Sequence, residues 1–150
     1  MTKIQFELDG KQVEANTGET IDLSLYANRQ GVNVNFKWFV TSQPPGASDT
    51  VKNWTGTASC GDGYECAPIT DKRPVLIPRN PGEYTLTVTA DLAETDTIEP
   101  SVKHAETTLA VTVDGTAIDR GGGCGISGRR PAGLLVVLGL GLAMLWRRRR

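Results

Sequence analysis

The chain has 150 residues, with 17 acidic and 16 basic side chains, 39% hydrophobic residues and three cysteines, enough for one ordinary domain and a tail. The near-neutral total hides a split: residues 1–120 carry 10 basic against 17 acidic side chains, a balance of −7, whereas residues 121–150 carry +6. An acidic body repels phosphate, which argues against nucleic acid as its partner, and no basic stripe interleaved with aromatics runs through it.

From residue 4 to 113 the apolar residues recur with period two, as in half-buried strands. Asp9-Gly10 in "LDGKQV" is a hairpin turn signal. "TIDLSLYA" places Ile21, Leu23 and Leu25 on one face, opposed by Thr20, Asp22, Ser24 and Tyr26. "VNVNFKWFV" sets Val32, Val34, Phe36, Trp38 and Val40 against Asn33, Asn35, Lys37 and Phe39. "SQPPGAS" then breaks the pattern. The long segment 44–73 leads from the Trp38 strand to "RPVLIP" and contains Trp54, Tyr64, Cys60 and Cys66. In "CGDGYEC", Gly61, Asp62 and Gly63 favour a tight turn that brings the two cysteines within disulfide reach. In an exported body they would be oxidised, and in a reducing cytosol they would stay thiols. After the "PRNPGE" break, "EYTLTVTAD" turns Tyr84, Leu86, Val88 and Ala90 inward, and "TTLAVTV" adds Leu109, Val111 and Val113. "DLAETDTIEPSV" has room for one helical turn before Pro100 stops it. Threonine and β-branched residues fill these runs. The expectation is an all-β fold, an antiparallel β-sandwich over residues 13–114, with Trp38 and Tyr84 in its core. Residues 1–12 would form an extra strand or the end of a preceding domain.

Three stretches, "NTGETIDLSLYA", "VNFKWFVTSQPPG" and "PRNPGEYTLTVTAD", together resemble bacterial Ig-like domains of the PKD type over roughly residues 13–113. The anchors are Trp38 and the Gly82-Glu83-Tyr84 strand opening. The resemblance implies that Trp38 packs between two sheets and that the Tyr84 hydroxyl caps a corner. The chain departs from the pattern in having Leu23 or Leu25 and Leu86 where related sandwiches link their sheets with cysteines, and in lacking a "WDFGDG" core.

Chemistry-bearing constellations are sparse. His104 is the only histidine, and in "SVKHAETTL" it reads as a solvated strand residue rather than a catalyst. No Gly-x-Ser-x-Gly elbow or phosphate-cradling glycine loop is present, so no catalytic residues are expected. The cluster Asp91, Glu94, Asp96 and Glu99 is the one calcium candidate, set against the plainer reading of a solvated acidic loop; its spacing fits no EF-hand. Trp54 and Tyr64 are candidate ligand-binding aromatics, for sugar rings or partner side chains, against the plainer reading that Trp54 folds back as a lid on the body. "NWT" at Asn53 matches a glycosylation acceptor, a motif short enough to arise by chance.

Residues 115–130 form a glycine-rich linker, followed by a 16-residue apolar segment, Pro131–Trp146, and four arginines, Arg147–Arg150. As a helix 131–146 spans about 24 Å, slightly short of a hydrocarbon core of about 30 Å. Trp146 suits the interface, and the arginines extend the span and belong on the cytoplasmic side. Cys124 sits in an open glycine run where a processing enzyme can reach the backbone and the thiol. The motif Gly122-Gly123-Cys124-Gly125, the apolar helix and the Arg147, Arg148, Arg149 and Arg150 cluster resemble the MYXO-CTERM sorting tail of myxobacterial surface proteins; the GlyGly-CTERM tail shares the design but usually lacks the cysteine. The resemblance implies recognition and removal by a membrane sorting protease, with the body left on the cell surface or released. The alternative is a permanent single-pass anchor.

"MTKIQFELDG" lacks the apolar core of a signal peptide, which suggests a truncated start. These readings converge on a non-catalytic structural or adhesive module of a bacterial envelope, at the outer surface or secreted after transient anchoring in the inner membrane. Its partners would be the membrane, a sorting protease and an unidentified protein or glycan. An accessory or carbohydrate-binding domain of a larger secreted enzyme is the alternative.

Overall fold

A computed structural model describes residues 4–8, 10, 12–98 and 100–119, which belong to one unit ending at Asp119. They fold as an all-β body of ten strands: β1 (Phe6–Leu8), β2 (Gln12–Asn16), β3 (Ile21–Asp22), β4 (Leu25–Ala27), β5 (Val32–Ser42), β6 (Thr55–Cys60), β7 (Cys66–Pro68), β8 (Val75–Leu76), β9 (Gly82–Leu92) and β10 (His104–Asp114). A 3₁₀ turn, Asp62–Tyr64, separates β6 from β7. The helix expected at 131–146 lies outside the described residues, and no helix among those described is long and apolar enough to cross a membrane.

Six strands form one sheet in the order β2-β10-β9-β5-β6-β7, with two short ladders, β1-β4 and β3-β8, beside it. The three longest strands, β5, β9 and β10, are the clearest alternating runs and pair antiparallel at its centre. One ladder departs from the expected antiparallel plan: β2 runs parallel to β10, Val13 facing Val111. Asp9, of the expected Asp9-Gly10 hairpin turn, lies outside the described residues; among those described, β1 pairs with β4 and β2 with β10, and not with each other. At the other edge β7 is three residues long and ends at Pro68, a residue that cannot donate to a further strand.

Alternation places one face of the large sheet in the core. Val34, Phe36 and Trp38 of β5, Tyr84, Leu86 and Val88 of β9, and Leu109, Val111 and Val113 of β10 are buried there. Ile4, Ile21, Leu23, Leu25, Ala27 and Leu76 complete the same cluster from the β1-β4 and β3-β8 side. Each such side chain contributes roughly 1.5–3 kcal/mol on burial. Gly56 and Gly82 each mark a close approach that bears on the core and its corner. Gly56 faces Phe36 across the β5–β6 ladder, and a Cβ there would lie 3.0 Å from the ring. Gly82, at φ 129°, would place a Cβ 2.7 Å from the Pro44 ring, so the two proline-glycine breaks pack against each other.

That packing sets the corner at Tyr84. Its hydroxyl proton is shared between Asp49 Oδ2 at 2.8 Å and the Asn80 carbonyl at 3.0 Å, four residues upstream. Asp49 Oδ2 also accepts the Arg79 N–H, and the Asp49 N–H donates to Gln43 Oε1. Burial of the phenol, and then the Asp49 carboxylate as acceptor and neighbouring charge, push the Tyr84 pKa up to about 12.

The strand ends divide the connections. Turns 28–31 and 61–65 and the connection 93–103 meet at one end, where Gly31 N–H donates to the Cys60 carbonyl and Ala93 N–H to the Asn33 carbonyl. At the other end Thr17 N–H reaches the Asp114 carbonyl and Ile118 N–H the Arg79 carbonyl.

Candidate functional site

Cys60 and Cys66 are bonded to each other. They are direct register partners at the end of the β6–β7 ladder, and both are buried. The turn they close bends as its glycines suggest, with Gly63 at φ 75° and Tyr64 at φ 67°. Glu65, on the same turn, accepts hydrogen bonds from Ser24 Oγ at 3.1 Å and Arg73 at 2.6 Å. The Arg73 hydrogen bond lowers the Glu65 pKa, opposed by burial and aided by Ser24; the same contact raises that of Arg73. The disulfide turn is thereby fastened to Ser24, just before β4, and to Arg73, just before β8.

The acidic cluster does not converge. Asp91 pairs with His104 across the β9–β10 ladder, Oδ1 to Nδ1 at 2.7 Å. Asp96 is not a solvated loop residue, as the plainer reading had it: it is 5% exposed. Its Oδ1 accepts from Arg29 and from the Ile98 N–H. A buried carboxylate is held by a paired cation and hydrogen bonds, and the Arg29 partner lies 67 positions away in the chain. Glu94 lines an open cavity beside this pair, and Glu99 lies outside the described residues. Among the described residues no three His, Cys, Asp or Glu side chains group closely enough to hold a metal ion. His104 stands exposed on its strand, and Asp91 is its one hydrogen-bonding partner among the described residues.

The two candidate aromatics separate. Trp54 precedes β6 and Tyr64 follows it, so they sit at opposite ends of a strand about 20 Å long. Tyr64, 48% exposed, stands beside Glu7, Leu8 and Tyr26. Trp54 lies against β5 but is only partly covered: it is 46% exposed, and its indole meets the ring of Phe39, 41% exposed, with centroids 5.9 Å apart and planes tilted by 42°. The backbone explains the meeting, because the Trp38 N–H donates to the Trp54 carbonyl at 2.7 Å and sets the two segments side by side. A groove of about 520 Å³ runs along these rings, with Gln43, Thr50 and Val51 among its walls. Phe39 was visible in the sequence only as an aromatic on the outward register of "VNVNFKWFV", where every other outward residue is polar. The Asn53 side-chain amide donates to the Arg73 carbonyl.

The sorting candidates Gly122, Gly123, Cys124, Gly125 and Arg147–Arg150 lie outside the described residues. No protein-family model and no curated protein matches this chain.

Proposed function

We propose that the chain is a non-catalytic surface module: a PKD/Ig-like β-sandwich that works outside the cytoplasm and is delivered by its C-terminal segment, residues 122–150, as a sorting signal. The observation that carries this reading is the buried Cys60–Cys66 bond, because structural disulfides belong to oxidising compartments. The sheet order supports the sandwich, as do the Tyr84 hydroxyl bond to a carbonyl four residues upstream and the buried Trp38. The glycine–cysteine motif, apolar segment and arginine cluster supply the address.

Intact mass and thiol labelling of the protein recovered from its native cells test this reading. The expected species has lost the residues beyond the Cys124 region, resides in the envelope or medium, and shows no free thiol at Cys60 or Cys66. Full-length protein in the soluble interior, with both thiols reduced, refutes it. Recovery of an envelope protein still carrying Arg147–Arg150 would replace sorting by permanent anchoring.

A further inference from the structure

Among the described residues the outward face of the six-stranded sheet is polar apart from Ala67, Ala110 and Phe39, and Phe39 is its one large apolar side chain. Phe39 interrupts it, and Trp54 lies against Phe39 with both rings close to half exposed. Folding alone gains little from this arrangement, since about half of each ring still faces water. The surroundings limit what could cover the rings. Along the register from Phe39 come Thr87 on β9 and Thr108 on β10. The next row holds Thr85 and Ala110, with Thr41 bonded to the Thr85 carbonyl and its hydroxyl 3.1 Å from that of Thr87. Two successive rows, crossing strands about 4.8 Å apart, therefore contain no charge.

We infer that the Phe39–Trp54 pair is a stacking platform for a neutral carbohydrate chain, which lies across the strands from the aromatic rings onto the Thr87–Thr108 row. A pyranose has an apolar face of C–H groups that stacks on an aromatic ring, and a hydroxyl edge. Threonine hydroxyls donate and accept, as sugar hydroxyls do. A charged polymer would find no counter-charge in these two rows, and the flanking row, Lys37–Thr89–Glu106, carries one charge of each sign, so it favours neither a polyanion nor a polycation. A protein partner would require a wider apolar patch than two rings provide. The site names the ligand class for the surface module proposed above and rests on that reading for its biological setting, though the binding itself does not depend on where the cell places the chain.

Affinity electrophoresis of the purified full chain in neutral detergent tests the inference, with gels containing soluble β-glucan, xylan, mannan or starch. At least one of these polysaccharides is expected to retard the wild type. Phe39→Thr keeps a strand-favouring residue on the outward face and Trp54→Ala removes the indole; each is expected to weaken retardation at least about tenfold. Tyr64→Ala, at the other end of β6, is expected to leave it unchanged. Thermal unfolding identifies any variant that has lost its fold, and Trp54→Phe, which preserves a ring, is expected to retain part of the binding. Absence of retardation by all four polymers overturns the inference, as does retardation indifferent to Phe39→Thr. Wild-type self-association that Phe39→Thr abolishes would overturn it in favour of a second copy of the chain on the platform. Each of these failures leaves the mass and thiol test of surface delivery untouched.

Discussion

Removing one oxygen atom at Tyr84 tests the corner that links the Pro44 turn to the long β9 strand. Tyr84 is 1% exposed, and its hydroxyl lies 2.8 Å from a carboxylate oxygen of Asp49. Tyr84→Phe preserves the ring and deletes a hydrogen bond to a charged acceptor, a loss of about 2 kcal/mol. For a body of about 115 residues with an unfolding entropy near 2.1 cal/mol/K per residue, that lowers Tm by about 8 °C. The same contact predicts a pH signature. The phenol titrates near 10 in the unfolded chain and at about 12 in the folded one, chiefly through burial, then through Asp49. A folded pKa above the unfolded one means that the protonated form favours folding. The contribution is therefore complete below pH 10 and is lost between pH 10 and 12, a decline of about 2–3 kcal/mol for a shift of this size. The assay is urea denaturation of wild type and Tyr84→Phe from pH 7 to 12, both carrying Cys124→Ser so that no thiolate exchanges with the disulfide. The difference between the two proteins should be constant to pH 9 and vanish by pH 12. Equal stability at pH 7, or a difference that persists undiminished at pH 12, would refute the reasoning.

Replacing both Cys60 and Cys66 with serine opens a seven-residue loop, which should lower stability by about 2 kcal/mol on the chain-entropy account; an unchanged urea midpoint would contradict it. Because both cysteines are buried, reductant should open the native bond slowly at neutral pH and rapidly in urea, as followed by mass shift after alkylation. Arg29→Met removes the cation from the buried Asp96 carboxylate, and should destabilise by about 3 kcal/mol, the low end for a buried pair because Arg29 is partly exposed. Asp96→Asn in the same chain should recover part of that loss in a double-mutant cycle, and strict additivity would show that the pair is not coupled. Glu65 titrates below its ordinary value because of Arg73, so its small contribution is present above about pH 4.3 and fades as acid takes the pH through the lower folded value. In Arg73→Ala this acid-dependent loss should be reduced, with the urea midpoint between pH 6 and 2.5 as the readout.

What could be read from the chain beforehand follows the reach of each physical signal. Alternation is local, and it located β5, β9 and β10 and their inward residues, including Trp38 and Tyr84. It says nothing of partners, which is why Asp9-Gly10 read as a hairpin although β1 and β2 join different ladders. β6 escaped notice because Gly56 and Ala58, two of its inward residues, are small; the Phe36 ring supplies the apolar mass at Gly56 instead. Asp96 looked solvated because Arg29 is far away in sequence. That a large aromatic such as Trp54 lies at least partly covered follows from its size, but that it meets Phe39 depends on the pairing of its backbone with Trp38, a contact between segments that no local pattern encodes.

The same distinction explains why the two ends of the β6 segment must be tested separately. At one end, the disulfide, the Tyr26–Glu65 bridge and the Ser24–Glu65–Arg73 bonds hold Tyr64 in its turn. At the other, Trp54 is placed by the bond of its carbonyl to the Trp38 N–H and by its contact with Phe39, and the residues before it by the Lys52–Val75 bridge and the Asn53 bond to the Arg73 carbonyl. Opening the disulfide acts on the first set of constraints, since the register Val32–Cys60 to Lys37–Thr55 is maintained by the β5–β6 ladder itself. The Cys60→Ser, Cys66→Ser protein, at a temperature where it remains folded, should therefore keep the Phe39–Trp54 contact and its indole fluorescence spectrum. A red shift of that spectrum equal to the shift on unfolding would mean that the disulfide turn and the aromatic pair form one cooperative element, contrary to the separate anchoring argued here.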